Sequence, residues 1–279
     1  MCRIIFQIFF LFFLCFLFHP ATAEESSSGF DRVIKTGTIR CGYQYWDGGV
    51  MRNEETGNLT GFFVEYAEDL AKAADLKVEW VGPLEWGNIA AELKAHKIDA
   101  WCAGTWLAVR NSKFMLVSDP AAYNGFEAFV RADDTRFDED SSLLDDPSIK
   151  MATIDSTSGA QIAKGILPHA TPYGLPPLTA TDADQLLSVA TGKADVTFTS
   201  PGVAHRFMQN NPGKVKRLEP GKSYALMGVT IPVGENDFRL LHFFNTGIKE
   251  LKNTGFTASL IDKYNSEYPG LFVPMEEME

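Results

Sequence analysis

Gly104, Thr105, Trp106 and Arg110 form the grouping in this chain whose residue types and spacing most directly suggest a chemistry. They fall in I-D-A-W-C-A-G-T-W-L-A-V-R-N-S-K-F-M-L-V-S-D-P, Ile98 to Pro120. Asp99 to Ala103 is short and mostly apolar, as a strand covered on both faces would be. A loop leaving the carboxyl end of such a strand, with a small residue, a hydroxyl, an indole and a guanidinium, is equipped to hold a small anion. The guanidinium meets a carboxylate through two parallel N–H donors. Taken alone, an arginine after a strand is more often a surface ion-pair partner, so the assignment depends on its surroundings.

The elements upstream read as strand alternating with helix. Thr38 to Gly42 (T-I-R-C-G) is a short strand, and Tyr43 to Gly49 (Y-Q-Y-W-D-G-G) is an aromatic loop that serves either as a ligand wall or as ordinary packing. E-E-T-G-N within Asn53 to Gly61 signals a hairpin turn. Phe63 to Ala74 has helical spacing, with Val64, Ala67, Leu70, Ala71 and Ala74 on one face. Leu76 to Val81 alternates as a strand, Ile89 to Ala95 is a helix feeding the strand at Asp99, and Phe114 to Val117 and Gly125 to Arg131 complete the set. This alternation predicts an α/β sheet with crossover connections.

Ala132 to Ser148 is acidic and nearly free of core residues, which marks a nearby boundary. A second α/β unit follows: a strand at Lys150–Ile154, a polar turn D-S-T-S-G, a helix at Gly159–Ile166 and a proline-rich loop at Pro168–Pro177. A helix at Asp182–Thr191, capped by Thr181 or Asp182, leads to a strand at Ala194–Thr199 and a helix at Pro201–Gln209. Tyr224 to Pro232 is long enough to return the chain to the first unit. Phe238–Thr254, with Leu241, Phe244, Ile248 and Leu251 inward, and Phe256–Tyr264 are closing helices. The expected architecture is two α/β lobes, 30–130 with 225–279 and 131–224, joined by two crossovers with a cleft between them. Ala128–Arg131 and Tyr224–Gly228 are the expected hinges.

Residues 1–23 combine one arginine, a long apolar run broken by His19 and Pro20, and a small-x-small end at Ala21 and Ala23. They read as a secretory signal peptide cleaved after Ala23, too short for a membrane anchor. Leu14 before Cys15 argues against a lipoprotein. Glu24 to Gly29 is a polar, disordered lead-in. The mature chain would carry 24 Lys and Arg against 36 Asp and Glu, a net charge of −12. That charge repels phosphate backbones, so nucleic acid is excluded as a partner. Of four cysteines only Cys41 and Cys102 remain after cleavage. Buried free thiols are the first expectation, and a bridge is the alternative that an oxidising compartment favours. Neither has a metal-ligand neighbour at suitable spacing, so no metal and no cofactor are expected.

Taken in order, these stretches resemble the amino-acid-binding family of ABC-transporter extracellular solute-binding proteins, with the type II periplasmic binding protein fold. The resemblance covers nearly all of Gly37 to Tyr268. It is carried by G-T-I-R-C-G-Y, by G-N-L-T-G-F-F-V-E-Y-A-E-D-L-A-K-A with K-V-E-W-V, and by W-G-N-I-A-A-E-L-K-A-H-K-I-D-A with the following Arg and S-D-P. T-G-K-A-D-V and the closing N-T-G-I-K-E-L-K-N-T-G-F-T-A-S-L-I-D-K-Y complete it. Each piece is weak, and the ordered set is strong.

The resemblance implies that Arg110 takes the ligand's α-carboxylate, with Gly104 and Thr105 assisting. The family's Arg falls one residue further from the Asp matching Asp99, so this loop is rewired. Trp106 stands where a small hydroxyl residue is usual and narrows the pocket. Trp86 matches the aromatic that stacks on the ligand side chain, and Trp46 and Asp47 lie where the first loop touches it. Tyr43 and Tyr45 could extend these indoles into a partial aromatic box, suited to apolar rings or to quaternary amines. Thr157 and Ser158 match a carboxylate-binding turn in which Ser156 replaces a Gly, and the helix after it aims its positive end at the anion. Ser200 stands where the family has the Asp that pairs the ligand's α-ammonium. A buried ammonium without a counter-charge is disfavoured. Either Asp47, Glu65 or Asp155 substitutes, or the ligand is a carboxylate without an ordinary α-ammonium.

The implied function is a monomeric periplasmic receptor that delivers a small carboxylate to a membrane permease. An enzyme on the same fold would need an acid or base in the cleft. His96, His169, His205 and His242 all fall outside the cleft loops. A sensor lobe that binds a partner protein and no solute is the third reading.

Overall fold

The computed structural model describes residues 29–274 except Leu107, Arg110 and Leu178. The leader of residues 1–23, its cleavage point and Arg110 lie outside the described residues, as does all of the polar lead-in but Gly29. That glycine opens a helix, α1 (Gly29–Thr36), whose Val33 is fully buried. The helix is pinned where Gly29 N donates to Asp237 Oδ1 at 2.6 Å.

The remaining elements, in order, are β1 (Thr38–Gly42), β2 (Met51–Arg52), β3 (Leu59–Thr60), α2 (Phe62–Ala73), β4 (Lys77–Val81), α3 (Ile89–Lys94), β5 (Ala100–Trp101), β6 (Thr105–Trp106), β7 (Met115–Val117) and β8 (Ala122–Arg131). Then come β9 (Lys150–Ile154), α4 (Ser158–Ile166), β10 (Thr171–Leu175), α5 (Asp182–Ala190), β11 (Val196–Thr199), α6 (Pro201–Asn210) and β12 (Val215–Arg217). The chain closes with β13 (Ala225–Thr230), β14 (Pro232–Gly234), α7 (Phe238–Asn253) and α8 (Phe256–Glu267).

Two mixed sheets result. The first runs β4-β1-β5-β14-β7 and the second β10-β9-β11-β8-β13-β6, with β12 also against β8. In the first lobe, Val64, Ala67, Leu70 and Ala71 of α2 turn inward, whereas Ala74 lies past the helix end and is exposed. On α7 the buried face is Leu240, Phe244, Ile248 and Leu251, and Leu241 is only half-buried. Asp99 fastens the start of β5: its carboxylate accepts from Arg40 N at 2.7 Å, Arg40 Nη2 at 2.9 Å and Arg32 Nε at 2.9 Å. A buried carboxylate held by two guanidiniums ties α1, β1 and β5 into one unit.

Three expectations are corrected. Cys41 and Cys102 form a disulfide, with Cα atoms 5.2 Å apart, and are not free thiols. Parallel pairing of Cys41 with Ala100 and Gly42 with Trp101 leaves Cys102 just past the end of β5, its N donating to Gly42 O at 2.9 Å, within reach of Cys41, a register that spacing alone does not reveal. The proline-rich stretch contains β10, paired parallel to β9 at the sheet edge. An edge strand tolerates Pro172 because one row of its backbone groups needs no partner. Finally, Ala128–Arg131 cannot hinge: β11 pairs with residues up to Val130 on one side, and β12 pairs with Phe129–Arg131 on the other. Tyr224–Gly228 is likewise held against β8.

The passage between sheets comes nearer the first lobe. Only Ile231 separates β13 from β14, and Pro120–Ala121 leads into β8. There Ala121 N donates to Val229 O at 2.9 Å and Ser118 N to Ile231 O at 3.2 Å. A third link is the segment after α8, where Val273 N donates to Tyr123 O at 2.8 Å while Phe272 sits in the first lobe's core. Among the described residues no helix is long and apolar enough to cross a membrane.

Candidate functional site

A cleft of about 1160 Å³ opens between the two sheets. From the first lobe it is walled by the loop after β1, the 3-10 turn Trp86–Asn88, and the β5–β6 segment with the residues that follow. From the second it is walled by the turn after β9, the first turn of α5, the end of β11 and α6. Both sets of loops leave the carboxyl ends of parallel strands, where α/β folds place ligands.

On the first-lobe side, Trp46, Asp47, Trp86, Gly104, Thr105 and Trp106 all line the cleft. Trp46 Nε1 donates to Ala103 O at 2.8 Å, which locks the indole against the Gly104 segment. Trp86 is more than a third exposed and leans on Trp101, with ring centroids 5.2 Å apart. Gly104 has φ +71°, and a Cβ there would lie 2.6 Å from the Phe63 ring and 2.7 Å from Val229, so backbone conformation and close approach both require glycine. Trp106 Nε1 donates to Asn124 Oδ1 at 2.9 Å, and its ring sits edge-on to Phe126 at 5.2 Å. The indole thus reaches from the first lobe's loop into the second lobe's core.

Tyr43 does not belong to the site. It is 7% exposed, absent from the cleft wall, and packed edge-on to Tyr45 at 5.5 Å and Trp80 at 5.9 Å. It immediately follows β1, and Tyr43 O accepts from Leu84 N at 2.8 Å, so the strand's end holds the ring in the first lobe. Tyr45 does line the cleft.

On the second-lobe side, Thr157 caps α4: Oγ1 accepts from Ala160 N at 3.2 Å and donates to Ile154 O at 2.7 Å. Its hydroxyl is spent locally, and it shares the cleft wall with the start of the helix at Ser158, Gly159 and Ala160. Asn111 Nδ2, next in the chain to Arg110, donates to Ser158 Oγ at 3.4 Å, so the two predicted carboxylate-binding segments approach each other. Ser156 adopts φ +63° where the family's turn has glycine. Ser200 is 2% exposed, lines the cleft and caps α6, accepting from Val203 N at 3.4 Å.

The candidate replacements for the charge missing at Ser200 separate clearly. Glu65 is bound to Lys263 Nζ at 2.7 Å and to the Tyr264 hydroxyl, and does not line the cleft. Asp47 lines the cleft, with its carboxylate on Arg206 Nη1 at 2.7 Å. Asp155 lies in the wall and is exposed.

Three wall residues carried no site signal in the sequence: Arg206 on the helix after β11, Thr199 and Asp182. The first reads there as an ordinary helix cation, the second as a strand residue and the third as a capping residue. Thr181 is the cap, in a box completed by Asp184. Asp182 is half-buried, accepts from Gln185 Nε2 at 2.7 Å, and burial pushes its carboxyl up to about 6, with the Asp47 charge a smaller push the same way.

Among the described residues no pairing in the cleft forms a nucleophile and base. His169 Nδ1 contacts Asp145 Oδ2 at 2.7 Å and His205 Nε2 contacts Gln209 Nε2 at 2.9 Å, both outside the cleft wall. Among the described residues no cluster of three or more His, Cys, Asp or Glu is arranged to hold a metal.

The family model described as bacterial extracellular solute-binding proteins, family 3, matches residues 25–267. "Probable amino-acid-binding protein YxeM" of Bacillus subtilis (strain 168) is 26% identical over 247 residues, 88% of each chain. Among solved structures, the ancestral amino acid-binding protein AncCDT-1, a precursor of cyclohexadienyl dehydratase, is 26% identical with TM-score 0.69, over 85% of this chain and 99% of that one. The substrate binding protein of an amino acid ABC transporter, 21% identical with TM-score 0.66 over 81% of this chain and 98% of that one, shares the fold.

Proposed function

The chain belongs to the bacterial extracellular solute-binding proteins, family 3, and from that premise we propose that it captures a small amino-acid-like carboxylate by lobe closure and delivers it to an ABC-transporter permease. Its two mixed sheets are those of the type II periplasmic binding proteins, and a solute-binding family is one of binders, not catalysts. The observation that carries the reading is the cleft of about 1160 Å³, walled from both sheets by loops at strand carboxyl ends. The names of the relatives, an amino-acid-binding protein and an amino acid ABC transporter component, support the ligand class and the permease. The apolar leader with Ala21 and Ala23 supports export by a cleaved signal peptide.

The guanidinium of Arg110 holds the carboxylate, aided by the segment Gly104–Thr105 and by the start of the helix at Ser158. Trp46, Trp86 and Trp106 enclose the rest of the ligand. Because Ser200 brings no charge, the ligand lacks an α-ammonium seated in the usual way.

Native mass spectrometry of freshly purified protein, followed by thermal-shift assays with L-amino acids and their deaminated analogues, tests this. A ligand at a hundred times its Kd adds about 2.7 kcal/mol of stability. Arg110→Ala is expected to keep the unliganded melting temperature and to weaken binding about thirtyfold or more. Undiminished affinity refutes the role of Arg110, and a panel without any shift favours a protein partner.

A further inference from the structure

The first turn of α5 presents to the cleft a carboxylate, Asp182, that the helix cap does not use. Helix capping there is complete without it: Thr181 N and Thr181 Oγ1 both donate to Asp184 Oδ2 at 2.8 Å. The cleft's other acids are spoken for or open to water. Asp47 is paired with Arg206, Asp184 serves the capping box, and Asp155 is exposed beside Gly174. Asp182 is half-buried, has no part in the cap, and has one neutral group, the Gln185 amide, as its described partner.

We infer that Asp182 is the subsite for the ligand's positive charge, so that the solute is a carboxylate carrying an organic cation, an ammonium, guanidinium or quaternary amine, placed away from Ser200. The inference rests on the carboxylate-capture reading above. A carboxylate drawn partly out of water and answered only by an amide is disfavoured, and closure around a neutral ligand would strip it further. A cation arriving with the ligand reverses that cost. The raised pKa of Asp182, about 6, reports the same unmet demand.

A second observation lies in the wall of the same cleft. Thr199, at the end of β11 in the same wall, is 1% exposed, and its hydroxyl has no hydrogen-bond partner among the described residues. A hydroxyl oxygen accepts from an N–H or lies against an N–CH₃ group, and an unmet one buried in a ligand cleft is a contact awaiting its donor. The opposite wall includes Trp46 and Trp86, indoles of the kind that attract cations through the ring quadrupole. Acid, hydroxyl and indoles are complementary to one chemical group.

The test measures affinity by calorimetry for L-lysine, L-arginine and glycine betaine, and for the cation-free carboxylates succinate and 4-methyl-2-oxopentanoate. It compares wild type with Asp182→Asn, Asp182→Ser and Asp182→Glu. Wild type is expected to prefer at least one cationic member. Asp182→Asn weakens that ligand about tenfold or more, Asp182→Glu recovers part of the loss, and cation-free ligands bind all variants alike. If Asp182→Asn does not fold, Asp182→Ser, a good residue for a helix's first turn, gives the same readout. Equal affinity of wild type and both neutral variants for the cationic ligand overturns the inference and leaves carboxylate capture standing. A wild type that prefers the cation-free ligands also overturns it. Failure of wild type to bind any member overturns both.

Discussion

Asp47 and Arg206 reach across the cleft from opposite lobes, Asp47 Oδ1 accepting from Arg206 Nη1 at 2.7 Å. The aspartate follows β1 and the arginine sits on α6, so the pair exists only while the lobes are close.

Breaking this latch is expected to change closure more than stability. The side chains are 53% and 35% exposed, so the pair contributes about 1 kcal/mol at most. Arg206→Ala should leave the melting temperature nearly unchanged, increase the radius of gyration of the unliganded protein in small-angle scattering, and weaken ligand binding by up to about fivefold. Raising ionic strength should move wild type the same way and the variant less.

Removing the disulfide should cost far more. Cys41 and Cys102 are 61 residues apart, and closing a loop of that length restricts the unfolded chain by roughly 4 kcal/mol in the chain-entropy account. Denaturant unfolding with and without reductant, and of the double variant Cys41→Ser with Cys102→Ser, checks this. Matching midpoints would mean that the bond contributes nothing.

Stability should depend on pH through Asp182. Its carboxyl titrates near 6 in the folded chain, above the ordinary carboxylate value near 4 that it regains on unfolding, so between these values the folded state holds the extra proton. The contribution of this group is thus most favourable in acid and is lost as pH rises through about 6. Asp182→Asn, which cannot ionise, should match wild type near pH 4 and exceed it above pH 7. Asp47, Asp155, Asp184 and Arg206 face the same space but are present in both proteins, so they cancel in the difference. A melting-temperature difference that is flat across the range would remove the effect.

Restoring an acid at position 200 should widen the ligand range. Aspartate caps helices as well as serine does, so Ser200→Asp can keep the start of α6 while supplying a buried counter-charge. Affinity for ordinary L-α-amino acids such as L-leucine should rise about tenfold by calorimetry. Tight wild-type binding of L-leucine would show that the serine imposes no such restriction.

Much of this architecture was legible in residue periodicity, because helices such as α2 and α7 bury one stripe and strands such as β9 and β11 are short runs rich in β-branched and apolar residues. Register was not. The disulfide, the true crossing point at Ile231 and the strand hidden in the proline-rich stretch all depend on which strands lie side by side, and no local pattern encodes that. For the site, strand-end loops placed Trp46, Trp86 and Thr105 on the cleft wall, whereas Tyr43, one residue past β1, turned into the core. Asp182 and Arg206 escaped notice because a helix-start acid and a mid-helix arginine are the commonest surface residues, and only the packing of one lobe on the other gives them a role.

The indole at position 106 carries a further implication. It lines the cleft, bonds Asn124 at the lobe junction and rests so close to Gly159 that a Cβ there would lie 2.8 Å from the ring. A change at this residue cannot retune selectivity while leaving the open–closed balance alone, since the same atoms serve as lining and as fulcrum. Divergence of this receptor toward new solutes is therefore easiest at Trp86, which leans on its neighbour without bracing the joint.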